Sequence, residues 1–312
     1  MFSVVIPLYN KAKSIQSTLK SILSQTYQKF EIVVVDDGST DSSAEKVLAV
    51  SDERIRLIRK ENGGVCSARN RGILESKYDY VAFLDADDTW DENYLLEQSK
   101  LIEEFPLAYM WGINFAELYN GKLIHELPTG LSKGYRGYVE NYFEMPSKQG
   151  RVSDLYCSSS VVIRKETFKT SGMFDERIKY SEDIDMWFRI IVNFPVVFYD
   201  KYMAFYHYDA ENRAMNKARP LKFFLPYYND KYIQYKGTYF YQWILRWSAV
   251  KIRDYYFNIP DQRKEAIEAI NKLDYSVLPT KYKYLFKTPY FIGSVLNKLD
   301  SIKMSIKKIL KK

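Results

Sequence analysis

Short apolar runs alternate with amphipathic stretches through the first third of the chain. The runs Phe2–Leu8, Phe30–Val35 and Tyr80–Leu84 have the length and the β-branched and aromatic content of buried strands, and Ile55–Ile58 predicts a further strand. Between the first two, apolar residues from Ile15 to Leu23 recur at i, i+4, i+7 and i+8, which predicts an amphipathic helix. Strands that alternate with helices at this spacing predict a parallel sheet with right-handed crossovers.

Polar side chains directly follow three of these strands. They are Tyr9-Asn10, Asp36-Asp37 and Asp85-Ala86-Asp87-Asp88. If the strands are parallel neighbours, these ends converge on one edge of the sheet, where open α/β sheets place their ligands. Carboxylates this close repel one another, so a bound cation would hold them ionised, although an ordinary Asp-rich turn fits the last stretch equally well.

The middle of the chain continues with less regular elements. The predicted elements are a helix over Trp90–Phe105 that Asp88 precedes as a helix-start residue, strands at Tyr109–Phe115, Tyr156–Ile163, Val196–Tyr199 and Met203–Tyr208, and a helix that opens at Ser181. From about residue 120 to 151, Gly, Pro, Ser and Lys among aromatics predict a long loop of the functional or mobile kind.

Composition narrows the class of protein. The two cysteines, Cys66 and Cys157, lie far apart in the sequence, and with two histidines in the chain they do not favour a zinc site or a disulfide framework. The first residues lack a basic leader segment, and no run reaches the roughly 18 apolar residues of a spanning helix. The prediction is a cytoplasmic protein, soluble or peripheral at the inner face of the cytoplasmic membrane.

The character of the chain changes near residue 210, which predicts a catalytic region over 1–210 and a helical, aromatic and basic region over 211–312. The net charge of +7 owes much to the lysines between 281 and 312. Within residues 295–312, apolar positions at i, i+4, i+7, i+11 and i+14 alternate with lysines. This pattern is typical of a helix that lies on an anionic membrane surface, and a solvated face packed on its own domain fits it equally well.

Five motifs in order resemble the family-2 inverting glycosyltransferases of GT-A fold. They are Val5-Ile6-Pro7-Leu8-Tyr9-Asn10, Asp36-Asp37-Gly38-Ser39-Thr40-Asp41, Asn62-Gly63-Gly64 with Ala68-Arg69-Asn70, Asp85-Ala86-Asp87-Asp88, and Glu182-Asp183-Ile184-Asp185. The resemblance covers roughly residues 1 to 210. It implies an α/β GT-A fold, which is a Rossmann-like, mostly parallel sheet flanked by helices, followed here by a mainly helical C-terminal region.

The resemblance also implies which residues bind a nucleotide-sugar donor. Pro7 would shape the strand end, Tyr9 would pack on the base, Asp36 or Asp37 would meet the base or ribose, Arg69 would reach a phosphate, and Asp85 would touch the ribose or the metal. A carboxylate suits the base or ribose because it accepts strong hydrogen bonds. Plainer interpretations stay open: a rim tyrosine at Tyr9, a turn residue at one of the two aspartates, and an ion-paired Arg69.

The same resemblance implies which residues bind a metal ion and which residue acts as the general base. Asp87, with His207, would hold Mn²⁺ or Mg²⁺ against the diphosphate, although a purely structural His207 is an alternative. Asp183 would act as the general base, with Glu182 beside it as a helix-start or orienting residue.

The function implied is transfer of one sugar, a hexosyl or N-acetylhexosaminyl group, from a nucleotide-diphosphate sugar with inversion. The expected donor is a UDP-sugar, the acceptor a saccharide or lipid-linked saccharide, and the setting capsule, exopolysaccharide or O-antigen synthesis; no nucleic acid is expected as a partner. An inactive sugar-nucleotide-binding scaffold is one alternative. A sugar-phosphate nucleotidyltransferase is another, but Val5–Lys13 lacks the glycine-rich signature that it would carry.

Overall fold

The computed structural model describes residues 1–126, 131–144, 155–212, 219–290 and 292–295. The chain divides into two compact units, Met1–Lys217 and Ala218–Lys312. Of the predicted membrane-surface segment 295–312, only Val295 falls within the described residues, so that prediction and the division of roles between the two parts of the chain stay predictions.

The first unit is built on one sheet, which holds ten strands in the described residues. The strands are β1 Phe2–Leu8, β2 Phe30–Asp36, β3 Ile55–Arg59, β4 Tyr80–Phe83, β5 Thr89–Trp90, β6 Met110–Tyr119, β7 Lys122–Glu126, β8 Arg136–Tyr138, β9 Val161–Arg164 and β10 Val196–His207. Their order is β3-β2-β1-β4-β9-β6-β10-β5, with β7 paired to β6 and β8 paired to β10.

Helices accompany the sheet in the first unit and dominate the second. The α-helices are α1 Ile15–Leu23, α2 Ser43–Leu48, α3 Val65–Glu75, α4 Tyr94–Glu104, α5 Thr167–Ser171, α6 Glu182–Asn193, α7 Tyr239–Asn258, α8 Arg263–Asn271 and α9 Thr280–Lys287. In the second unit, α7 packs with α8 and with the 3-10 segment Leu225–Tyr235. None of the described helices has both the length and the apolar character needed to cross a bilayer.

The convergence of strand ends is confirmed. Strand β1 lies between β2 and β4 and is parallel to both. Every residue of β1 and β2 is buried, as expected for strands covered on both faces. Leu8 lies opposite Asp36 and Val5 opposite Phe83. The residues after β1, β2 and β4 therefore leave the sheet along the same edge.

Four predictions of secondary structure were wrong. The segment from about residue 120 to 151, predicted as a long loop, contains the strands β7 and β8 in its described part. Thr89–Trp90 is not the start of a helix but an edge strand, β5, whose Trp90 lies opposite Ala204 of β10, and α4 begins only at Tyr94. The predicted strand Tyr156–Ile163 is a 3-10 turn at Ser158–Ser160 followed by β9. The two strands predicted between 196 and 208 form the single strand β10, with an irregularity between Tyr199 and Ala204.

Helix α3 packs unusually closely on β1 because position 72 has no side chain. A Cβ atom on Gly72 would collide with the Cγ1 atom of Val5 in the middle of β1. Glycine is the weakest helix former apart from proline, so its use here is explained by contact rather than by propensity. The close approach fixes the position of α3, which carries Arg69.

We predict that Gly72→Ala lowers the free energy of unfolding by about 1–3 kcal/mol, since overpacking outweighs the gain in helix propensity of about 1 kcal/mol. Urea denaturation measures the change. Gly137→Ala in β8 is the matched control: the nearest atoms to its added Cβ lie 3.5 Å away or more, so the change should stay within about 0.5 kcal/mol. Equal stabilities for the two variants would contradict the packing argument.

Candidate active site

The end of β1 is fastened to the loop after β2. Asn10 adopts a left-handed conformation with φ of 51°, its N–H donates to Ser39 Oγ over 3.1 Å, and its Oδ1 accepts from the N–H of Thr40 over 2.8 Å. Tyr9, the residue before Asn10, is 38 % exposed, and Pro7 lies in β1. The ring of Tyr9 is therefore at the surface of the edge, where a planar ligand could reach it, and its donor-binding role stays a prediction.

Asp36 and Asp37 have different surroundings. The Asp37 carboxylate accepts hydrogen bonds from the N–H groups of Gly63 and Gly64 at 3.0 and 2.7 Å and pairs with Lys60 Nζ at 2.6 Å. Asp36 Oδ1 accepts from the N–H of Ser39 over 3.0 Å, and its Oδ2 has no partner among the described contacts. Asp37 thus holds the loop that starts α3, while Asp36 is the one with an oxygen left for a ligand.

Arg69 lies at the centre of the acidic edge and is 2 % exposed. Its Nη2 is 2.7 Å from Asp85 Oδ1, and its Nη1 is 2.9 Å from Glu182 Oε1. Burial disfavours the charged guanidinium, but the two carboxylates more than compensate and raise the pKa of Arg69. Arg69 therefore joins the loop after β4 to the first residue of α6. It forms the ion pairs that the sequence analysis left open, and its contact with a donor phosphate stays a prediction.

Asp87 is paired with a lysine from the loop after β1. Lys11 Nζ is 2.5 Å from Asp87 Oδ2 and donates a second hydrogen bond to the carbonyl oxygen of Glu211 over 2.6 Å. Burial raises the pKa of Asp87, and Lys11 opposes that shift. One oxygen of the predicted metal ligand thus already holds a cationic group.

Asp88 does not start a helix, so that expectation was wrong. It is 1 % exposed, its Oδ2 accepts a 2.5 Å hydrogen bond from Ser159 Oγ, and it directly precedes the strand β5. Burial raises the pKa of Asp88 well above its usual range, and the charges of Asp87 and Asp85 add to the shift. Ser159 Oγ also accepts from the N–H of Asp85 over 3.1 Å, so Asp88 helps to fix the backbone of the acidic loop.

Two further carboxylates begin α6. Ser181 caps the helix in a left-handed conformation, and the carboxylate of Asp183 accepts from the N–H of Ile184 over 2.8 Å. Burial raises the pKa of Asp183 although the charge of Arg69 opposes it, and burial with the charge of Asp183 raises the pKa of Glu182 to about 7. A helix N-terminus favours negative charge, which opposes the effect of burial on both acids.

Asp185 has a structural role on the same helix. It is fully buried and pairs with Arg189 one turn later, at 2.9 Å. Arg189 also donates to the carbonyl oxygens of Ser171 and Met173, at the end of α5 and just beyond it. This pair ties α6 to the segment after α5, and it does not contribute to the acidic edge.

His207 ends β10, and its Nε2 lies 2.9 Å from Thr89 Oγ1. That contact is sufficient to explain the residue structurally, and its role as a metal ligand stays a prediction. Among the described residues, no group of three or more His, Cys, Asp or Glu side chains is arranged to hold a metal ion by protein ligands alone. A metal here would complete its coordination with water or with oxygen atoms of the substrate.

Sequence reasoning missed Lys11, Ser159 and Glu211. The carboxylate of Glu211 accepts hydrogen bonds from the N–H groups of Lys13 and Ser14 and from the hydroxyl of Ser14, which fastens the end of the β10 segment to the start of α1. Lys11 lies 76 residues from Asp87, and Ser159 lies 71 residues from Asp88. No spacing along the sequence could have indicated these pairs.

Residues 3–171 match the family model described as Glycosyl transferase family 2. Because this match spans more than half of the chain, the chain belongs to that family.

Curated relatives resemble parts of the chain. An Escherichia coli protein, the UDP-Glc:alpha-D-GlcNAc-diphosphoundecaprenol beta-1,3-glucosyltransferase WfgD, is 34% identical over 142 residues, 45% of this chain and 56% of that protein. An uncharacterized glycosyltransferase of Rickettsia felis is 31% identical over 206 residues, 64% of this chain and 32% of that protein. The chain therefore spans about a third to a little over half the length of these relatives.

Among solved structures, S. aureus TarS residues 1–349 in complex with UDP-GlcNAc superposes with a TM-score of 0.69. The match covers 95% of this chain and 88% of the TarS chain at 19% sequence identity. At that identity the likeness shows the fold, and it confirms the predicted GT-A architecture.

We predict that Arg69→Met lowers the free energy of unfolding by about 3–5 kcal/mol, because it leaves the largely shielded Glu182 and the partly exposed Asp85 without their shared counter-ion. Arg71→Met on the same helix is the control. The Arg71 side chain is 49% exposed and pairs only with Glu75 among its described ion pairs, so its loss should cost less than about 0.5 kcal/mol. Chemical denaturation of both variants provides the comparison, and equal losses would show that the Arg69 contacts contribute little.

Proposed function

We propose that the protein is an inverting glycosyltransferase that moves one sugar from a nucleotide-diphosphate sugar to a saccharide acceptor. The observation that carries the proposal is the buried bridge formed by Arg69, which joins Asp85 of the donor motif to Glu182 beside the proposed base. An inverting transfer needs the acceptor hydroxyl with its base and the leaving diphosphate on opposite sides of one anomeric carbon. The bridge keeps the motifs proposed for these two roles next to each other.

The donor would lie along the ends of β1, β2 and β4. Tyr9 offers an exposed ring for the base, and Pro7 sets the backbone before it. Asp36 offers Oδ2 as a hydrogen-bond acceptor for a base N–H or a ribose hydroxyl, whereas the oxygens of Asp37 already have partners. Asp85 keeps Oδ2 for the ribose, since Arg69 takes Oδ1. TarS, which shares the fold, has been crystallised with UDP-GlcNAc, and this favours a UDP-sugar.

In the proposed reaction, Asp183 accepts the proton of the acceptor hydroxyl while the hydroxyl oxygen bonds to the anomeric carbon. The bond from that carbon to the diphosphate oxygen breaks in the same step, so the nucleoside diphosphate leaves and the configuration inverts. The raised pKa of Asp183 makes it a better proton acceptor than an exposed aspartate. Glu182 stays bound to Arg69 and orients the start of the helix.

Mn²⁺ or Mg²⁺ is the proposed cofactor, and the residues present fit it in part. The Asp87 carboxylate is a hard oxygen ligand that already binds one cationic group, Lys11. Nε2 of His207 contacts Thr89, so Nδ1 is the nitrogen that would bind the ion. When bound, the ion would neutralise charge on the departing diphosphate.

The proposed acceptor is a saccharide, including lipid-linked saccharides, in surface-polysaccharide assembly. The printed name of WfgD describes transfer to a diphosphoundecaprenol-linked sugar, and this likeness supports the class of acceptor. A site of action at the inner face of the cytoplasmic membrane belongs to the same proposal.

We predict that Asp183→Asn lowers kcat by about 10²- to 10⁴-fold with little change in donor binding, because the amide cannot take a proton. A matched donor and acceptor pair, identified by screening sugar nucleotides for thermal stabilisation, provides the assay. The same thermal shift on the variant is the control for an intact donor site. Turnover within a few-fold of the unaltered protein would show that Asp183 is not the base.

We predict that donor binding depends on a divalent cation and on Asp87. Chelator should weaken donor binding to the unaltered protein by about tenfold or more, and Asp87→Ala should bind the donor weakly whether or not Mn²⁺ is present. Isothermal titration with UDP measures both. Binding that ignores chelator and the substitution would remove the metal from the mechanism.

A further inference from the structure

We propose that Lys11 is the resident counter-ion of Asp87 and competes with a divalent cation for that carboxylate, so that Lys11 sets the metal affinity of the site. This inference rests on the proposed metal-binding role of Asp87. It assigns a function to a residue outside the five motifs that indicated the family.

The contact between the two side chains is short and largely shielded from water. Lys11 Nζ lies 2.5 Å from Asp87 Oδ2, and the side chains of Lys11 and Asp87 are 12% and 17% exposed. A carboxylate at this depth needs a compensating charge to stay ionised. Lys11 supplies that charge in the absence of any ligand.

Hydrogen bonds fix the backbone of Lys11, and a second partner besides Asp87 binds its ammonium group. The Lys11 N–H donates to Ser43 Oγ over 2.8 Å, and its carbonyl oxygen accepts from the N–H groups of Ser14 and Ile15 at 3.1 and 3.0 Å as α1 begins. Nζ also donates to the carbonyl oxygen of Glu211. The backbone contacts fix where the side chain starts, and the bonds of Nζ to Glu211 and Asp87 place the ammonium group before any metal arrives.

An ammonium group and a divalent ion cannot both contact Asp87 without strong repulsion. At a separation of about 5 Å and an effective dielectric constant of about 20, one positive and one doubly positive charge repel by several kcal/mol. The divalent ion must therefore displace Nζ from Oδ2, and its apparent affinity is reduced by the strength of the pair that it breaks. The carbonyl oxygen of Glu211 remains as an acceptor for the displaced ammonium group.

Lys13 offers a matched comparison on the same loop. Its backbone N–H contacts Glu211, and its exposed side chain makes none of the described contacts with Asp87. Neutralising Lys13 changes the net charge of the protein by the same amount as neutralising Lys11. It leaves the pair at Asp87 intact, so it separates local competition from a general change in charge.

The test is titration of the full chain with Mn²⁺ alone, followed by the loss of the free-ion electron paramagnetic resonance signal. Lys11→Met should bind Mn²⁺ about tenfold or more tightly than the unaltered protein, because the competing cation is gone. Lys11→Arg, which keeps the charge, and Lys13→Met should bind it as the unaltered protein does. If Lys11→Met cannot be purified folded, Lys11→Gln replaces it.

The role of Asp87 is tested in the same titration with Asp87→Asn. If Asp87→Asn abolishes binding while the neutral Lys11 variant, folded by circular dichroism, binds Mn²⁺ no more tightly than the unaltered protein, the competition is overturned and the metal site stands. If Asp87→Asn leaves Mn²⁺ binding unchanged, the proposed metal role fails and the inference fails with it. Tighter binding by Lys13→Met equal to that of Lys11→Met would also overturn the competition, since it would trace the effect to net charge.

Discussion

The arrangement of the acidic edge depends on burying a single guanidinium group. Arg69 can lie inside the first unit only because Asp85 and Glu182 neutralise it, and those carboxylates can lie beside each other only because Arg69 is between them. Gly72, one turn further along α3, lets the helix approach β1 closely enough for this to happen. The geometry of the two acidic motifs is thus fixed by packing at Gly72 and by charge at Arg69, one turn apart on the same helix.

Other carboxylates at the same edge are also neutralised, each by a single lysine. Lys60 and two backbone N–H groups satisfy Asp37, and Lys11 satisfies Asp87. The Asp37 contacts hold a loop in place, and the Lys11 pair occupies the carboxylate that is proposed to bind a metal. Converging strand ends bring together more negative charge than a largely buried edge can hold unaided, so the sequence supplies cations from other elements.

The sheet could be predicted from sequence because its signals are local. Apolar runs and the polar residues that follow them lie within a few positions of each other, so the convergence of β1, β2 and β4 follows from strand direction alone. The edge strand β5 could not be predicted, because Trp90 becomes a strand residue only by pairing with Ala204. The bridge from Arg69 to Glu182 spans 113 residues, and a local pattern contains no information on such a pair. The motifs thus predicted which acids lie at this edge, while the different contacts of each acid depend on partners brought by the fold.

The two acids at the start of α6, Glu182 and Asp183, differ in whether a cation contacts them. Burial raises the pKa of both acids, but one oxygen of Glu182 is bound to Arg69 at 2.9 Å, and protonating Glu182 would weaken that bridge. Asp183 contacts no cation directly among its described partners, which consist of the N–H of Ile184. A general base must offer a free lone pair to its substrate as well as a suitable pKa. That criterion supports the proposal that Asp183 is the base and that Glu182 holds the bridge beside it.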